Sequence, residues 1–133
     1  MSEARAVSDA VKQQFVDELT DLLDTIGAAN AAVVSTVDGL PVVHVARSEI
    51  SADNIAAMSA SMLSLGDALG GSSRHKQCDH VLSQSETGTI VVIHAGPTLI
   101  LTTIGKPGVN VGTVLVHSKY SAGRLAGLHG DNA

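Results

Sequence analysis

The segment over residues 52–69 has the period of an α-helix but almost no polar face. One stripe at helical spacing consists of large apolar side chains: Ile55, Met58, Met62, Leu65 and Leu69. A second stripe consists of small side chains: Ala57, Ser61, Ser64 and Ala68. Charge occurs only at Asp53 and Asp67, whereas a helix on the surface of a monomer normally carries a charged face. We therefore expect burial on two sides, with the large stripe against a sheet and the small stripe, with Ala60, against a second copy of the chain.

Two further helices are predicted, one at each end of the chain. Residues 9–26 carry apolar side chains on one face and acidic ones on the other, with Ser8 as the predicted N-cap and Gly27 as the predicted end. The last helix is predicted over residues 110–128. The first helix contains five acidic residues, whereas residues 105–128 contain three bases and no acid. Because opposite charges attract, we expect these two helices to lie side by side.

Glycine and proline mark predicted ends and turns. Gly70-Gly71 is expected to end the middle helix, which begins near Ser51 or Asp53. Asp38-Gly39 separates two short apolar segments and predicts a β-hairpin with a type I′ turn, in which both central residues have positive φ. Proline cannot donate a ladder hydrogen bond, so Pro41 predicts that the second arm of this hairpin is an edge strand.

Three more strand-like segments follow the middle helix, at residues 80–85, 89–94 and 98–104. The second and third are continuously apolar, which is typical of strands covered on both faces. The first is less apolar and suits a position at the side of a sheet. The predicted order is helix, hairpin, helix, three-stranded meander and helix.

Composition limits the classes of partner. A chain of 133 residues and 13.5 kDa has the size of one domain, so residues 1–133 are expected to form a single domain. The formal net charge is −5 and Phe15 and Tyr120 are the only aromatic residues, which argues against nucleic-acid binding. The N-terminus has no apolar signal core and no apolar run approaches 20 residues. We expect a cytoplasmic protein that has no membrane partner.

Candidate chemistry is sparse. His75, Cys78 and His80 could supply imidazole and thiolate ligands to zinc or copper, but a fourth ligand is not evident. Cys78 is the only cysteine, so an intrachain disulfide is excluded. Gly105-Lys106 lacks the serine or threonine that a phosphate-binding loop needs after the lysine. We expect no enzymatic activity, no cofactor and, at most, a weak metal site.

Together these segments resemble the roadblock/dynein light chain family over residues 10–128. The resemblance rests on four features: the first helix ending in Leu22-Leu23-Asp24-Thr25-Ile26-Gly27, the hairpin from Ala32 to Val42, the small-residue helix from Ala56 to Gly66, and residues 105–112 with Asn110-Val111-Gly112 opening the last helix. It implies an α+β fold in three layers with a five-stranded antiparallel sheet of order 2-1-5-4-3. The first and third helices would lie on one face of this sheet and the second helix on the other.

The same resemblance implies a homodimer, formed through the second helix and the third strand, that binds a Ras-like small GTPase and modulates its nucleotide state. The implied dimer interface adds Val81 and Ser83 to the small residues of the middle helix, which are Ala57, Ala60, Ser61, Ser64 and Ala68. Exposed positions expected to contact the partner are Asp53, Asn54 and Asp67. An alternative is a metal or small-molecule sensor that uses the His75–His80 loop or a pocket between helix and sheet. A ligand-induced rise in melting temperature would indicate the sensor.

Overall fold

The five strands form one antiparallel sheet in the order β2-β1-β5-β4-β3, as the resemblance implies. The computed structural model describes residues 7–74 and 77–130. Its elements, in chain order, are α1 Asp9–Ile26, β1 Ala29–Thr36, β2 Pro41–Ala46, α2 Ala52–Ser72, β3 His80–Ser85, β4 Gly88–His94, β5 Leu99–Gly105 and α3 Val111–His129. The predicted order of helices and strands is confirmed.

Helices cover both faces of the sheet. α1 and α3 pack on one face and on each other, and their core includes Phe15, Leu19, Leu101 and Leu125. α2 packs on the opposite face, over a smaller cluster centred on Leu63. The three-layer arrangement is therefore confirmed. β4 and β5 are buried along most of their length because they lie in the middle of the sheet, between the two helical layers.

The hairpin between β1 and β2 differs from the predicted turn. Gly39 has φ of 91°, but Asp38 is not among the residues with positive φ, so the type I′ prediction is wrong. The amide of Thr36 donates to the carbonyl of Leu40 (2.8 Å), which closes a three-residue loop rather than a two-residue one. A loop of this length requires the left-handed conformation only at its last residue, which is the glycine. β2 is an edge strand, as Pro41 predicts.

The first helix begins at its predicted cap, and the first and last helices pair as expected. The hydroxyl of Ser8 accepts a hydrogen bond from the third residue of α1, and Asn110 caps α3 in the same way. Glu18 of α1 pairs with Arg124 of α3, with 2.7 Å between Nε and Oε1. The expectation that these helices lie side by side is confirmed.

α2 continues through the two glycines that were expected to end it. It runs to Ser72, and the amide of Ser73 donates to the carbonyls of Leu69 and Gly70. Neither glycine of Gly70-Gly71 has positive φ; the left-handed residue is Arg74, with φ of 62°. Glycine weakens a helix by about 1 kcal/mol relative to alanine, and it commonly ends a helix by adopting the left-handed conformation, which neither of these glycines does.

The side of α2 that faces the sheet also differs from the prediction. Three members of the large stripe, Met58, Leu65 and Leu69, are 58%, 71% and 68% exposed, so the expectation that this stripe packs on the sheet is wrong. The buried residues of α2 are small ones and a single leucine: Ala56, Ser59 and Leu63. A serine is tolerated here because its hydroxyl hydrogen-bonds the Thr102 hydroxyl at 2.7 Å.

Candidate functional site

The outer face of α2 carries a row of large apolar side chains next to β3. We call Met58, Met62, Leu65 and Leu69 the large row. Its last three members line a groove of about 780 Å³ together with Val81 of β3. Two leucines that are more than two-thirds exposed on one helix face form an apolar patch of the kind that marks a protein interface.

The small side chains of α2 lie on the same outer face but towards the β1–β2 hairpin. We call Ala57, Ser61, Ser64 and Ala68 the small row. All four are exposed, and they line a shallow groove of about 730 Å³ with Val37 and Asp38 of the hairpin turn. The close approach of turn and helix depends on Gly39, where an added Cβ would lie 3.3 Å from the Ala57 Cα. Ala60 is half-buried beside this contact.

β3 provides an open sheet edge beside the large row. It is the last strand of the sheet and pairs only with β4 among the described residues. Val81 and Ser83 lie on the face of the sheet that α2 covers, since their partners Val92 and Ile90 belong to the cluster beneath that helix. The unpaired backbone groups of this edge can accept another strand.

The three positions predicted to contact a partner do not share one environment. Asp53 and Asn54 are exposed in the first turn of α2. Asp67 is half-buried, so the expectation that it is exposed is wrong. Its Oδ1 accepts the Cys78 amide at 2.7 Å, and its Oδ2 lies 3.8 Å from Nε2 of His94. These contacts tie α2 to the segment that leads into β3.

The suggested metal ligands do not form a site in the part of the chain that the structure describes. His75 lies outside the described residues, and no three His, Cys, Asp or Glu side chains elsewhere are close enough to hold an ion. The Cys78 thiol donates to the carbonyl of His80 at 3.2 Å. This thiol fits against α2 only because position 66 is glycine, where an added Cβ would lie 2.8 Å from Sγ.

Charge is concentrated on the opposite side of the sheet, between α1 and α3. Arg124 donates to Glu18, and this hydrogen bond and the carboxylate charge raise the pKa of the guanidinium above its usual value. The Glu18 carboxylate also accepts from the hydroxyl of Ser121 at 2.9 Å. Sequence reasoning found the pairing of these helices but not this buried carboxylate, which resembles the exposed acids around it in the sequence.

Comparison with known proteins identifies relatives of this fold. No curated protein matches the chain by sequence. Solved structures with the same fold include an MglB described with a tetrameric arrangement (22% identity, 95% of each chain, TM-score 0.86) and the gliding protein MglB of Thermus thermophilus (20% identity, 93% of this chain and 94% of that one, TM-score 0.85). A roadblock/LC7 domain from Streptomyces avermitilis is also similar (18% identity, 81% and 91%, TM-score 0.75).

None of the described helices has the length and apolar character to cross a bilayer. The family model of the Roadblock/LC7 domain matches residues 15–105, which include α1 from Phe15 onward and all five strands. The sheet order, the layer arrangement and this match agree with one another. The chain therefore belongs to the Roadblock/LC7 domain family.

Proposed function

We propose that this protein is a single-domain, homodimeric regulator that binds a Ras-like small GTPase. The observation that carries the proposal is the apolar outer face of α2, which continues directly into the open edge of β3. In a twofold dimer the same patch of both subunits forms the interface. The apolar rows of the two α2 helices would then cover each other, and the two unpaired β3 edges would hydrogen-bond to each other. Two β3 strands paired across the axis would make one ten-stranded sheet.

The seam of this dimer contains the large row rather than the small row. Leu65, Leu69 and Val81 border the open strand edge, so a subunit that adds to β3 covers them first. The small row lies further from β3 on the same outer face, in the groove beside the β1–β2 hairpin that Leu65 also lines. This proposal differs from the sequence prediction, in which Ala57, Ala60, Ser61, Ser64 and Ala68 lie in the seam, whereas Val81 and Ser83 belong to it in both.

The small row and the first turn of α2 form the docking surface for the GTPase. In the proposed dimer they stay uncovered beside the seam, and Asp53 and Asn54 add polar groups at one end. Family membership supports a regulatory role, in which the protein modulates the nucleotide state of its partner and itself needs no cofactor. A protein of this kind acts by positioning the partner's own catalytic groups.

The proposal is tested with the purified chain and the Ras-like GTPases encoded in its source genome. Each GTPase is loaded with GDP or with a non-hydrolysable GTP analogue and passed with the protein through a size-exclusion column. We expect a complex that depends on the bound nucleotide, and a changed rate of phosphate or nucleotide release. If no GTPase co-elutes in either state and neither rate changes, the regulatory role is wrong.

The matched variants are Asp53→Lys and Asp9→Lys. Both reverse an exposed acid in the first turn of a helix, so they impose the same unfavourable charge near a helix N-terminus. Only Asp53 lies beside the proposed GTPase surface. We expect Asp53→Lys to weaken the complex and Asp9→Lys to leave it unchanged; equal effects would contradict the assignment of the surface.

A further inference from the structure

A second groove lies on the face of the protein opposite α2, between α1 and α3. The two helices run antiparallel: Phe15 lies near His129, whereas Glu18 pairs with Arg124. Beside the C-terminal half of α1, a groove of about 510 Å³ lies between the two helices, and its volume is within the usual range of binding clefts. Neither the proposed dimer seam nor the proposed GTPase surface includes it.

On the α3 side, the groove is lined by two exposed side chains with large apolar surfaces together with polar and charged ones, which include His117 and Arg124. Val116 and Tyr120 are 63% and 65% exposed, one helical turn apart on the same face, and Leu22 of α1 is buried beneath the groove. The guanidinium of Arg124 lies 5.8 Å from the centre of the Tyr120 ring, in the range of a cation–π contact. A tyrosine held in this way resembles the aromatic anchors that dominate binding energy in protein interfaces.

The α1 side of the groove carries one uncompensated negative charge. Glu18 is neutralised by Arg124 and its carboxylate is buried, with 8% of the side chain exposed. Asp24 forms an ion pair with Arg47. Asp21, which lines the groove, makes no ion pair within residues 7–74 and 77–130 and is exposed. Apart from the paired Glu18 and Arg124, the groove therefore presents one acid and His117 next to two exposed side chains with large apolar surfaces.

We infer that this groove docks a helical segment of a partner protein that carries a lysine or arginine beside large apolar side chains. The cation pairs with Asp21, and the apolar side chains cover Val116 and Tyr120. The groove extends along α3 from Val116 to Arg124, which is about 12 Å or two turns of helix. A helix in such a groove contacts it through residues at positions i, i+4 and i+7. This inference is independent of the proposed GTPase role.

The test is a selection from a phage-displayed library of random 16-residue peptides on the purified full-length protein, with counter-selection on its Tyr120→Ala variant. Counter-selection removes peptides that bind the α2 face, because that face is unchanged in the variant. We expect the surviving peptides to share a basic residue and two or three large apolar ones at helical spacing. Survivors that are acidic, or the absence of any survivor, would overturn the inference.

The most enriched peptide is then synthesised and titrated into ¹⁵N-labelled protein. We expect the largest amide shifts at Asp21, Thr25, Val116 and Tyr120, and shifts confined to α2 or β3 would refute the site. Asp21→Asn is expected to weaken binding about threefold, as for loss of an exposed ion pair. Asp17→Asn is the control: it removes the same charge one turn away, outside the groove. An equal loss in the two variants would show that only the overall charge matters.

Discussion

Replacement of Leu65 with glutamate tests the assembly of the protein most directly. Leu65 is exposed on the outer face of α2, so the change removes no contact from the core of the single chain. Exposed substitutions of this kind usually alter the stability of the folded subunit by no more than about 0.5 kcal/mol. In the proposed dimer, however, the side chain lies in the seam beside β3. Any large effect must therefore come from association.

The expected loss of association follows from the exposed fraction. Complete burial of a leucine contributes about 1.5–3 kcal/mol, so covering the 71% of Leu65 that is exposed contributes about 1–2 kcal/mol in each subunit. Twofold symmetry doubles this contribution. A glutamate at the seam adds the cost of desolvating two carboxylates of like charge, which amounts to several kcal/mol. A total of at least about 4 kcal/mol corresponds to about a thousandfold weaker dimer.

The assay is light scattering coupled to size exclusion, followed by sedimentation equilibrium over a range of protein concentrations. The unmodified chain should elute with twice its mass of 13.5 kDa and Leu65→Glu with a single mass. Ser64→Glu introduces the same charge on the hairpin side of α2 and should remain dimeric. Val116→Glu replaces an apolar residue on α3 that is nearly as exposed and is the second control. A dimeric Leu65→Glu would refute the seam, and a monomeric Ser64→Glu beside it would place the seam at the small row.

Three stability predictions concern the single subunit, each measured by urea denaturation at one protein concentration. Glu18→Ala should cost about 1–3 kcal/mol, because it leaves a buried serine hydroxyl without its acceptor; a loss below about 0.5 kcal/mol would contradict this role. Gly88→Ala should lower the free energy of unfolding by about 1–3 kcal/mol, because an added Cβ would lie 2.5 Å from a carbonyl oxygen of β5. Gly123→Ala on α3, where a Cβ meets open space, should instead raise it by about 0.5–1 kcal/mol. Gly66→Ala should lower the free energy of unfolding by about 1–3 kcal/mol, because the added methyl group overpacks the space that the Cys78 thiol fills. The double variant with Cys78→Ala should regain part of that stability, and strictly additive losses would show that the two side chains do not compete for space.

Element order and the positions of single strands could be predicted because each rests on a strong local signal, whereas the full sheet order came from the family resemblance. Pro41 lacks an amide proton, which excludes β2 from the middle of the sheet, and β2 is an edge strand. The continuous apolar sequences of β4 and β5 require cover on both faces, and both strands lie between the helical layers. Opposite charges on α1 and α3 predicted their pairing, which the Glu18–Arg124 ion pair confirms.

Local turn and cap geometry was less predictable, because the same residues serve several conformations. Asp38-Gly39 suits a two-residue or a three-residue hairpin loop, and only the pairing of Thr36 with Leu40 decides between them. Gly70-Gly71 suits the end of a helix as well as its last turn. In the structure neither glycine has positive φ, and α2 ends at Ser72. The dipeptide alone does not distinguish these two outcomes.

The orientation of α2 could not be derived from its sequence, and the reason bears on function. A helix with a polar face has only one stable rotation on a sheet, but α2 has apolar side chains all around, so hydrophobicity alone does not select the buried side. Shape selects it: Ala56, Ser59 and Gly66 allow a close approach to the sheet, and Ser59 gains a hydrogen bond there. The bulkier Met58, Leu65 and Leu69 are left outside. A helix that packs on its sheet with one leucine and otherwise small residues, and exposes three of its large apolar side chains, needs a second surface to cover them.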